Sequence, residues 1–386
     1  MPENTIRISN KSVARSYEVL VGASLLPETG TAARQLLGDG AAKILVVSNP
    51  RVFGLYGETI KKTLLRAGFE TSVWLMKDGE RYKSFRSLER LLAAAAETRL
   101  SRTDAIVALG GGVVGDLAGF ASAVYMRGIR FIQVPTTLLA MIDSSVGGKT
   151  GINLDFGKNL VGSFHNPSGV FADVSTLATL PRREIAAGLY ESVKHGILAG
   201  GKLFNDTAKF LQRYKLSDFG DHGLNDDFYP ALQSLIASQV AFKASVVRSD
   251  EREDVSRSDA RSRKILNLGH TVGHALEKVT EYRRLKHGEA VGYGLMAAAR
   301  LSNLLDILPS DELELLNDVL HRVGKLPPLT AINAKDVVKA VNFDKKSVGG
   351  DLQWVLLEGV GKPVIVSGSD IPRSAVTEAV KTILKK

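Results

Sequence analysis

The feature that most constrains the fold is an alternation of short apolar runs with amphipathic stretches over the first 180 residues. The apolar runs predict strands at 42–49, 69–76, 104–109 and 130–135. Apolar residues at helical spacing predict helices between them, at 54–67, 84–98 and 113–125. Strands that alternate with helices favour a mainly parallel sheet with helices on both faces.

After residue 181 the pattern becomes helical almost as far as residue 342. Helices are predicted at 182–199, 227–248, 265–280, 288–305 and 310–323. With 386 residues, the chain is long enough for two cores. We therefore predict an α/β dinucleotide-binding domain (1–181) with a mainly parallel sheet, followed by an all-α metal- and substrate-binding domain (182–386). Without a long linker between them, the two domains would share a cleft, where ligands commonly bind.

Charge and terminal composition limit the partners. The net charge of +9 comes from dispersed lysines and arginines that do not interleave with aromatics, which argues against nucleic acid and favours a pocket for a small anion. The amino terminus is polar, and no apolar run reaches membrane-spanning length. We expect a cytoplasmic protein with no membrane partner.

A glycine-rich turn, "ALGGGVVGDLAGF", follows a predicted strand and opens a predicted helix. Its G-x-G-x-x-G pattern, in which backbone amides meet a diphosphate, is formed by Gly110, Gly112 and Gly115. The acidic residue expected about twenty positions on is replaced by Pro135. The ribose would then lie at the turn 77–83, which offers Asp78, Glu80 and Lys83. A purely structural turn is the alternative.

The segment 144–162, "SSVGGKTGINLDFGKNLVG", superficially resembles a phosphate-binding P-loop. The match fails because Asp143 stands where that motif requires glycine. The segment still places Lys149 and Lys158 on glycine-flanked loops beside Asn159, where lysines can bind phosphate as point charges. A solvated hairpin is the alternative.

Three histidines within eighteen positions suggest a metal site. His270 and His274 share one helix face, and His287 begins a later helix, where the dipole would keep its ring neutral. Thr271 replaces the glutamate of the zincin motif. The chain has no cysteine, so the missing ligand must be His, Asp or Glu, and Glu191 on a largely apolar helix is a candidate. Two histidines and a glutamate with an open position would form a catalytic zinc site.

Taken in order along the chain, these motifs resemble the dehydroquinate synthase family of sugar phosphate cyclases. The resemblance covers nearly the whole length and rests on "DGERYK", the segment from "GGGVVGD" to "GKNLVG", "TLATLP", "AAGLYESVKHGIL", "NLGHTVGHALE", "LKHGEAVGYG" and "DKK" at 344–346. No single motif is specific, but their joint occurrence in this order is.

The resemblance implies three sets of site residues. NAD would be bound by Asp78, Gly79, Glu80, Lys83, Gly112, Val113, Val114, Gly115, Asp116, Thr136, Thr137, Lys149, Lys158, Thr176, Leu177 and Thr179. Zinc or cobalt would be bound by Glu191, His270 and His287. The catalytic residues around substrate would be Arg127, Asp143, Lys149, Asn159, Lys194, Lys243, Glu253, Arg263, Asn267, His274, Lys345 and Lys346. On this assignment His274 faces substrate.

The resemblance also implies a reaction. A phosphorylated sugar acid, 3-deoxy-D-arabino-heptulosonate 7-phosphate, would be oxidised by NAD beside the metal, lose phosphate by β-elimination, be reduced again and close by an aldol step to 3-dehydroquinate. The net reaction is that of a lyase in the shikimate pathway, and the family implies a homodimer. The alternatives are another cyclase, such as 2-epi-5-epi-valiolone or 2-deoxy-scyllo-inosose synthase, and a glycerol-dehydrogenase-like oxidoreductase.

The chain departs from the family pattern in the segment 254–262, which is longer than usual. For this reason Arg257 or Arg261 is an alternative to Arg263, although Arg263 keeps the expected spacing to Asn267.

Two further departures lie near the predicted ligand sites. His195 stands where the family commonly has tyrosine, and we expect it to be a packed or surface residue. Asn49 and Arg51 replace the Asp and Asn that many relatives carry near the ribose, which leaves the choice between NAD and NADP open.

Overall fold

The computed structural model describes residues 16–220, 227–254, 256–347 and 352–385, apart from the side chains of 342–347. The strands are β1 (Glu18–Gly22), β2 (Lys43–Ser48), β3 (Glu70–Leu75), β4 (Ala105–Gly110), β5 (Arg130–Pro135), β6 (Lys149–Leu154), β7 (Gly157–Phe164), β8 (Gly169–Asp173), β9 (Gln353–Gly359) and β10 (Lys362–Ser367). The helices are α1 (Thr29–Leu37), α2 (Pro50–Val52), α3 (Glu58–Arg66), α4 (Phe85–Glu97), α5 (Gly112–Val124), α6 (Arg182–Ala199), α7 (Gly201–Arg213), α8 (Phe228–Ser249), α9 (His270–Val279), α10 (His287–Leu304), α11 (Ser310–Val323), α12 (Ala334–Ser347) and α13 (Arg373–Leu384).

The main sheet has six strands in the order β1-β8-β5-β4-β2-β3, all paired in parallel. Each central strand buries both of its faces. In β2, Leu45 and Val47 pack into one core, while Ile44 and Val46 pack into the core on the opposite face. This accounts for the continuous apolar runs in the sequence, because a parallel sheet covered on both sides exposes neither face.

The strand order reverses at the junction of β2 and β4. β3 lies beyond β2 on one side, and β4 begins the other half of the sheet. In open α/β sheets, ligands bind at such a reversal, outside the carboxyl ends of the strands. Asn49 follows β2 and Gly111 follows β4 at this edge, so the topology places the glycine-rich turn where a ligand is expected.

The rest of the chain is mainly helical and has its own core. Helices α6 to α13 surround a large apolar cluster that includes Tyr190, Leu235, Val291 and Leu356. Between the sheet and these helices, β6 and β7 form an antiparallel hairpin. None of the helices in the described residues is long and apolar enough to cross a membrane.

The structure confirms the predicted fold class, with its mainly parallel sheet and helical second part. The four predicted strands correspond to β2, β3, β4 and β5. The expectation of an all-α second part needs one correction, since β9 and β10 form an antiparallel hairpin there. This hairpin packs against α10 through buried residues that include Trp354 and Leu356. The division into two domains at 181/182 stays a prediction.

Candidate active site

The glycine-rich turn joins β4 to α5 at the carboxyl edge of the sheet. A Cβ atom on Gly112 would lie 2.9 Å from Oγ of Ser144, and one on Gly115 would lie 2.9 Å from Oε1 of Gln133. The backbone therefore lies so close to these two side chains that a larger residue at either glycine would displace them.

Buried hydroxyl groups lie around this turn without a hydrogen-bond partner in the described residues. They are Oγ1 of Thr136 and the Oγ atoms of Ser144 and Ser145. Buried polar groups normally have partners, so unsatisfied ones beside a ligand-binding edge indicate a place for a polar ligand. The helix amino terminus and these hydroxyls together suit a dinucleotide diphosphate.

Lys83 connects the predicted cofactor residues to a predicted substrate residue. Its Nζ lies 2.7 Å from Oδ2 of Asp116 and 2.5 Å from Oδ1 of Asn159. Burial lowers the pKa of Lys83, but the carboxylates of Asp116 and Glu80 raise it by more, so the ammonium stays charged. The side chain of Asn159, which we expected to face substrate, is thus oriented by Lys83.

The turn 77–83 lies beside the end of β2. The Nδ2 of Asn49 donates to Oδ1 of Asp78 over 3.4 Å, while the Asn49 oxygen caps α2 by accepting from the amide of Val52 at 2.9 Å. Asn49 is therefore a structural part of this edge.

Tyr56 was not predicted from the sequence but contacts the predicted cofactor segment 176–179. Its hydroxyl donates to the carbonyl of Thr176 over 3.0 Å and lies 2.5 Å from Oγ1 of Thr179. Sequence reasoning missed Tyr56 because nothing in its neighbourhood marks a contact 120 residues away.

The three predicted metal ligands come together at the start of two helices and the middle of a third. Nε2 of His270 and Nε2 of His287 each lie 3.7 Å from Oε1 of Glu191. Two ligands on a tetrahedral ion with bonds of about 2.1 Å stand about 3.4 Å apart. Glu191 is fully buried; within the described residues Nζ of Lys194 lies 2.5 Å from its Oε2, and no hydrogen bond reaches its Oε1. The donor set, a carboxylate and two imidazoles, fits a divalent metal.

Glycines bring these helices close enough for the ligands to meet. A Cβ on Gly288 would lie 2.0 Å from the carbonyl oxygen of Ala187, where α10 crosses α6. A Cβ on Gly294 would lie 1.8 Å from the carbonyl oxygen of Gly269, where α10 passes the start of α9. Real Cβ atoms do not reach such distances, so both crossings require glycine.

Each histidine ligand is held through its other ring nitrogen. Nδ1 of His270 lies 3.2 Å from the carbonyl oxygen of Leu268. Nδ1 of His287 lies 3.2 Å from Oε2 of Glu277, a buried residue of α9. Glu277 was not among the predicted site residues, although it follows His270 at i+7 on the same helix face as His274.

His287 is the first residue of α10, as predicted. Burial lowers the pKa of His287, but the hydrogen bond and charge of Glu277 raise it by more, and the net shift is upward. The carboxylate thus opposes the effect of the helix terminus, which favours the neutral ring.

His274 stands beside the three ligands. Its ring centroid lies 5.3 Å from that of His270 and 5.8 Å from that of His287. Ring nitrogens of all three histidines lie within 4.8 Å of one another. The structure therefore brings His274 to the metal cluster, and the division of roles between His270 and His274 stays a prediction.

Next to the metal cluster lies a compact network of charges. Nζ of Lys194 is 2.5 Å from Oε2 of Glu191 and 3.6 Å from Oδ2 of Asp143, and Lys243 forms an ion pair with Oδ1 of Asp143. Burial raises the pKa of Asp143, but Lys243 and Lys194 lower it well below its ordinary value. Burial lowers the pKa of Lys243.

A second group of predicted substrate residues lies around the start of β6. Lys149 forms an ion pair with Glu253. Arg263 is buried and donates to the carbonyl of Gly147 over 3.1 Å. Asn267 is exposed at the end of the helical turn that Arg263 begins.

The structure also distinguishes between the three arginines that were considered for one substrate contact, Arg257, Arg261 and Arg263. Arg257 donates to both carboxylate oxygens of Asp259 at 2.9 Å within the long loop, and Arg261 is exposed. Arg263 is the one that reaches Gly147, two residues from Lys149.

His195 is a packed residue, in agreement with the expectation. Its Nδ1 lies 3.1 Å from Oε1 of Gln239, and its ring lies against Phe242 with centroids 5.4 Å apart. Burial, with a contribution from the Lys194 charge, lowers the pKa of His195 to about 3.

One predicted residue, Arg127, is not brought to this network. Arg127 precedes β5, whereas Thr136 follows it, and six residues of strand separate the two edges by about 20 Å. Arg127 lines a separate cavity of about 560 Å³ together with Arg102 and Arg130. Two other predicted residues, Lys345 and Lys346, lie on α12, and their side chains are outside the described part of the structure.

Comparison with known proteins places the chain in a family. Residues 73–187 match the model for the N-terminal region of 3-dehydroquinate synthase, and residues 188–347 match the model for its C-terminal region. The chain is 40% identical over 379 residues to 3-dehydroquinate synthase of Methylacidiphilum infernorum, covering 98% of each chain. It is 42% identical over 358 residues to that of Pelotomaculum thermopropionicum, covering 92% of this chain and 91% of the relative.

The chain belongs to the 3-dehydroquinate synthase family. Solved structures of other sugar phosphate cyclases share its fold. 2-Epi-5-epi-valiolone synthase from Streptomyces hygroscopicus, with NAD⁺ and Zn²⁺ bound, matches with a TM-score of 0.83 at 26% identity, over 98% of this chain and 99% of that one. 2-Deoxy-scyllo-inosose synthase, in complex with carbaglucose-6-phosphate, NAD⁺ and Co²⁺, matches with a TM-score of 0.77 at 25% identity, over 94% and 96%.

The dehydrogenase alternative shares only the architecture. A glycerol dehydrogenase from Schizosaccharomyces pombe matches with a TM-score of 0.64 at 16% identity, over 97% of this chain and 91% of that one. Membership of the 3-dehydroquinate synthase family therefore agrees with the resemblance noted from the motifs.

Proposed function

We propose that this enzyme converts 3-deoxy-D-arabino-heptulosonate 7-phosphate to 3-dehydroquinate and phosphate, as a lyase that uses NAD and a divalent metal. The observation that carries the proposal is the convergence of Glu191, His270 and His287 beside the network of Lys194, Asp143 and Lys243. A metal site next to buried cationic groups suits a substrate that carries both hydroxyl groups and anionic groups.

The proposed cofactors are NAD, at the edge formed by the glycine-rich turn, and Zn²⁺ or Co²⁺. Related cyclases with NAD⁺ and either Zn²⁺ or Co²⁺ bound support this choice. When bound, NAD supplies reversible hydride transfer, and the metal polarises an oxygen of the substrate.

The side chains of this enzyme supply binding and proton handling. Lys149 and Arg263 would hold anionic groups of the substrate at the start of β6, where charge-assisted hydrogen bonds are strong. Asp143 pairs with both Lys194 and Lys243, and we expect it to hold their ammonium groups beside the substrate. His274 is placed to donate a hydrogen bond to substrate or to move a proton, since it stands beside the metal ligands.

A homodimer, a cytoplasmic location and the two-domain division at 181/182 also belong to the proposal. Arg127 lies at the opposite edge of the sheet from the glycine-rich turn of its own chain. In a dimer, it would instead reach the site of the other chain. If Arg127 contacts substrate, it does so from a second copy of the chain.

The test is an assay of the purified protein with the heptulosonate phosphate, NAD and Zn²⁺. We expect phosphate release without lasting NADH absorbance, because elimination falls between two opposite hydride transfers. Stoichiometric accumulation of NADH would instead indicate a dehydrogenase. Turnover of a different sugar phosphate, with none of the heptulosonate phosphate, would indicate another cyclase. A sample treated with a chelator serves as the control.

A further inference from the structure

We propose that Glu277 is a positioning residue for the metal ligand His287, and that Lys158 extends this contact to the hairpin beside the cofactor edge. The inference rests on the proposed function, because it takes Glu191, His270 and His287 as ligands of a metal. It assigns a role to Glu277, which makes no contact with the metal position itself.

The geometry fixes both the tautomer and the orientation of His287. Oε2 of Glu277 is 3.2 Å from Nδ1 of His287, and a carboxylate can only accept there, so Nδ1 carries the proton. The lone pair is then on Nε2, the atom that lies 3.7 Å from Oε1 of Glu191. Carboxylates that orient a histidine ligand in this way raise its basicity and strengthen metal binding.

Lys158 occupies the other oxygen of the same carboxylate. Its Nζ lies 2.9 Å from Oε1 of Glu277 and 4.6 Å from the ring centre of Tyr282. Glu277 is buried, so it needs a counter-charge, and Lys158 on β7 supplies it. Oε2 of Glu277 thus contacts His287 on α10, and Oε1 contacts Lys158 on the hairpin.

The two histidine ligands differ in what holds them. His270 is oriented by the carbonyl oxygen of Leu268, which no substitution of a side chain removes. His287 depends on the Glu277 side chain. Of the two histidines, His287 should therefore be the one whose orientation a side-chain substitution at its Nδ1 partner can change.

The contact also joins the metal to the cofactor edge. Lys158 is followed by Asn159, whose amide oxygen accepts from Lys83, and Lys83 in turn pairs with Asp116 on α5. Polar contacts thus run from α5 to His287, joined at one point by the peptide bond between Lys158 and Asn159. Because Lys158 supplies the counter-charge that holds Glu277, a change at Lys158 should alter metal affinity although Lys158 itself contacts no proposed ligand.

The experiment titrates Co²⁺ into chelator-treated protein and records both the dissociation constant and the visible absorption spectrum. We expect Glu277→Gln to weaken Co²⁺ binding about tenfold and Glu277→Ala about a hundredfold, the range seen when such orienting groups are lost. Both variants should change the Co²⁺ spectrum, because the His287 ring would lose the contact that fixes its orientation. Glu277→Asp, which keeps the carboxylate, should recover part of the affinity, and Lys158→Met should lose about threefold to tenfold.

Asp104→Asn is the matched control. Asp104 is equally buried, and its carboxylate accepts from the backbone amides of Ala42 and Lys43 at the end of the sheet away from the metal site. It should keep wild-type Co²⁺ affinity within about threefold, with an unchanged spectrum. Wild-type affinity and spectrum in both Glu277→Gln and Glu277→Ala would overturn the inference. So would an equal loss in Asp104→Asn.

Failure of the proposed function would look different. Wild-type protein that binds no Co²⁺ would overturn the metal site, and the role of Glu277 with it. Tight Co²⁺ binding that is insensitive to Glu277 would overturn the role of Glu277 alone.

Discussion

Nε2 of His270 lies 3.7 Å from Oε1 of Glu191, although 79 positions separate the two residues in the sequence. Glu191 is fully buried in the middle of α6, while His270 begins α9. The ammonium of Lys194 meets Oε2 of this carboxylate at 2.5 Å, whereas Oε1, the atom that faces His270, has no hydrogen bond in the described residues. A buried oxygen without a partner is costly, and together with the two imidazoles it suits a divalent cation.

The first prediction separates His270 from His274. A catalytic zinc has three protein ligands and an open position, and we expect Glu191, His270 and His287 to be those ligands. His270→Ala should lose both metal and activity. His274→Ala should keep close to one zinc per chain while turnover falls by roughly a hundredfold or more, the usual effect of removing an acid–base group.

Metal analysis of the two purified variants checks this. The three imidazoles lie close enough for a site made of histidines alone. If His274→Ala is purified without metal and His270→Ala retains it, the division of roles is wrong.

The second prediction concerns the glycine crossing that brings α9 to α10. Gly294→Ala would place a methyl group 1.8 Å from the carbonyl oxygen of Gly269, next to the ligand His270. Overpacking of this kind costs about 1–3 kcal/mol or more, so unfolding by urea should begin at a lower concentration and zinc content should fall. Gly54→Ala is the control, since a Cβ there has no atom within 4 Å. Equal stability and zinc content in the two variants would contradict the prediction.

The sheet could be predicted because its central strands are short runs of apolar residues between helices of clear periodicity. β1 and β8 were missed, since a strand of five residues carries too little pattern to distinguish it from a loop or a buried turn. The β9–β10 hairpin lies beyond residue 342, where the helical pattern ends, and the prediction of an all-α region over 182–386 did not include it. Its strands are held by packing against α10, which local sequence does not show.

The convergence of Glu191, His270 and His287 could be predicted from residue type and motif order, but their surroundings could not. Glu277 lies at helical spacing from His270 and His274, and that signal was available in the sequence. Its pairing with Lys158, 119 positions away, depends on how the hairpin folds over α9. Contacts between residues so far apart in the sequence depend on the tertiary fold, and local residue preferences do not predict them.

The third prediction tests the substrate contacts of Lys149 and Arg127. Each change to alanine should lower activity by at least about tenfold, equivalent to about 1.4 kcal/mol. Because Arg127 lies at the opposite edge of the sheet from the cofactor site, we expect it to act from a second copy. Co-expression of the two variants, Lys149→Ala and Arg127→Ala, should then restore about a quarter of wild-type activity. About half of randomly paired dimers contain one chain of each variant, and one of the two sites in such a mixed dimer has both residues intact.

Kinetic assays of the separate and co-expressed variants decide between the outcomes. Co-expression without any recovery would show that Arg127 serves its own chain. Activity within twofold of wild type in both single variants would mean that neither residue contacts substrate.

The last prediction concerns stability and His195. Burial lowers the pKa of His195 to about 3 in the folded protein, against 6.5 for an ordinary histidine. Between these values the unfolded chain binds a proton that the folded chain does not, so the free energy of unfolding rises with pH from about 3 to 6.5 and is fully regained above 6.5. Each pH unit below 6.5 should cost up to about 1.4 kcal/mol.

His195→Gln removes this titration and keeps an amide able to donate to Gln239, the present partner of Nδ1 at 3.1 Å. Urea unfolding at pH 7.5 and at pH 5.5 measures the effect in both proteins. Other groups titrate alike in the two proteins and cancel in the difference. The free energy of unfolding of the wild type should therefore fall by about 1.4 kcal/mol more than that of His195→Gln between the two pH values. An equal decrease in the free energy of unfolding of the two proteins would show that His195 takes up a proton in the folded protein. The contact with Gln239 would then not hold the ring neutral.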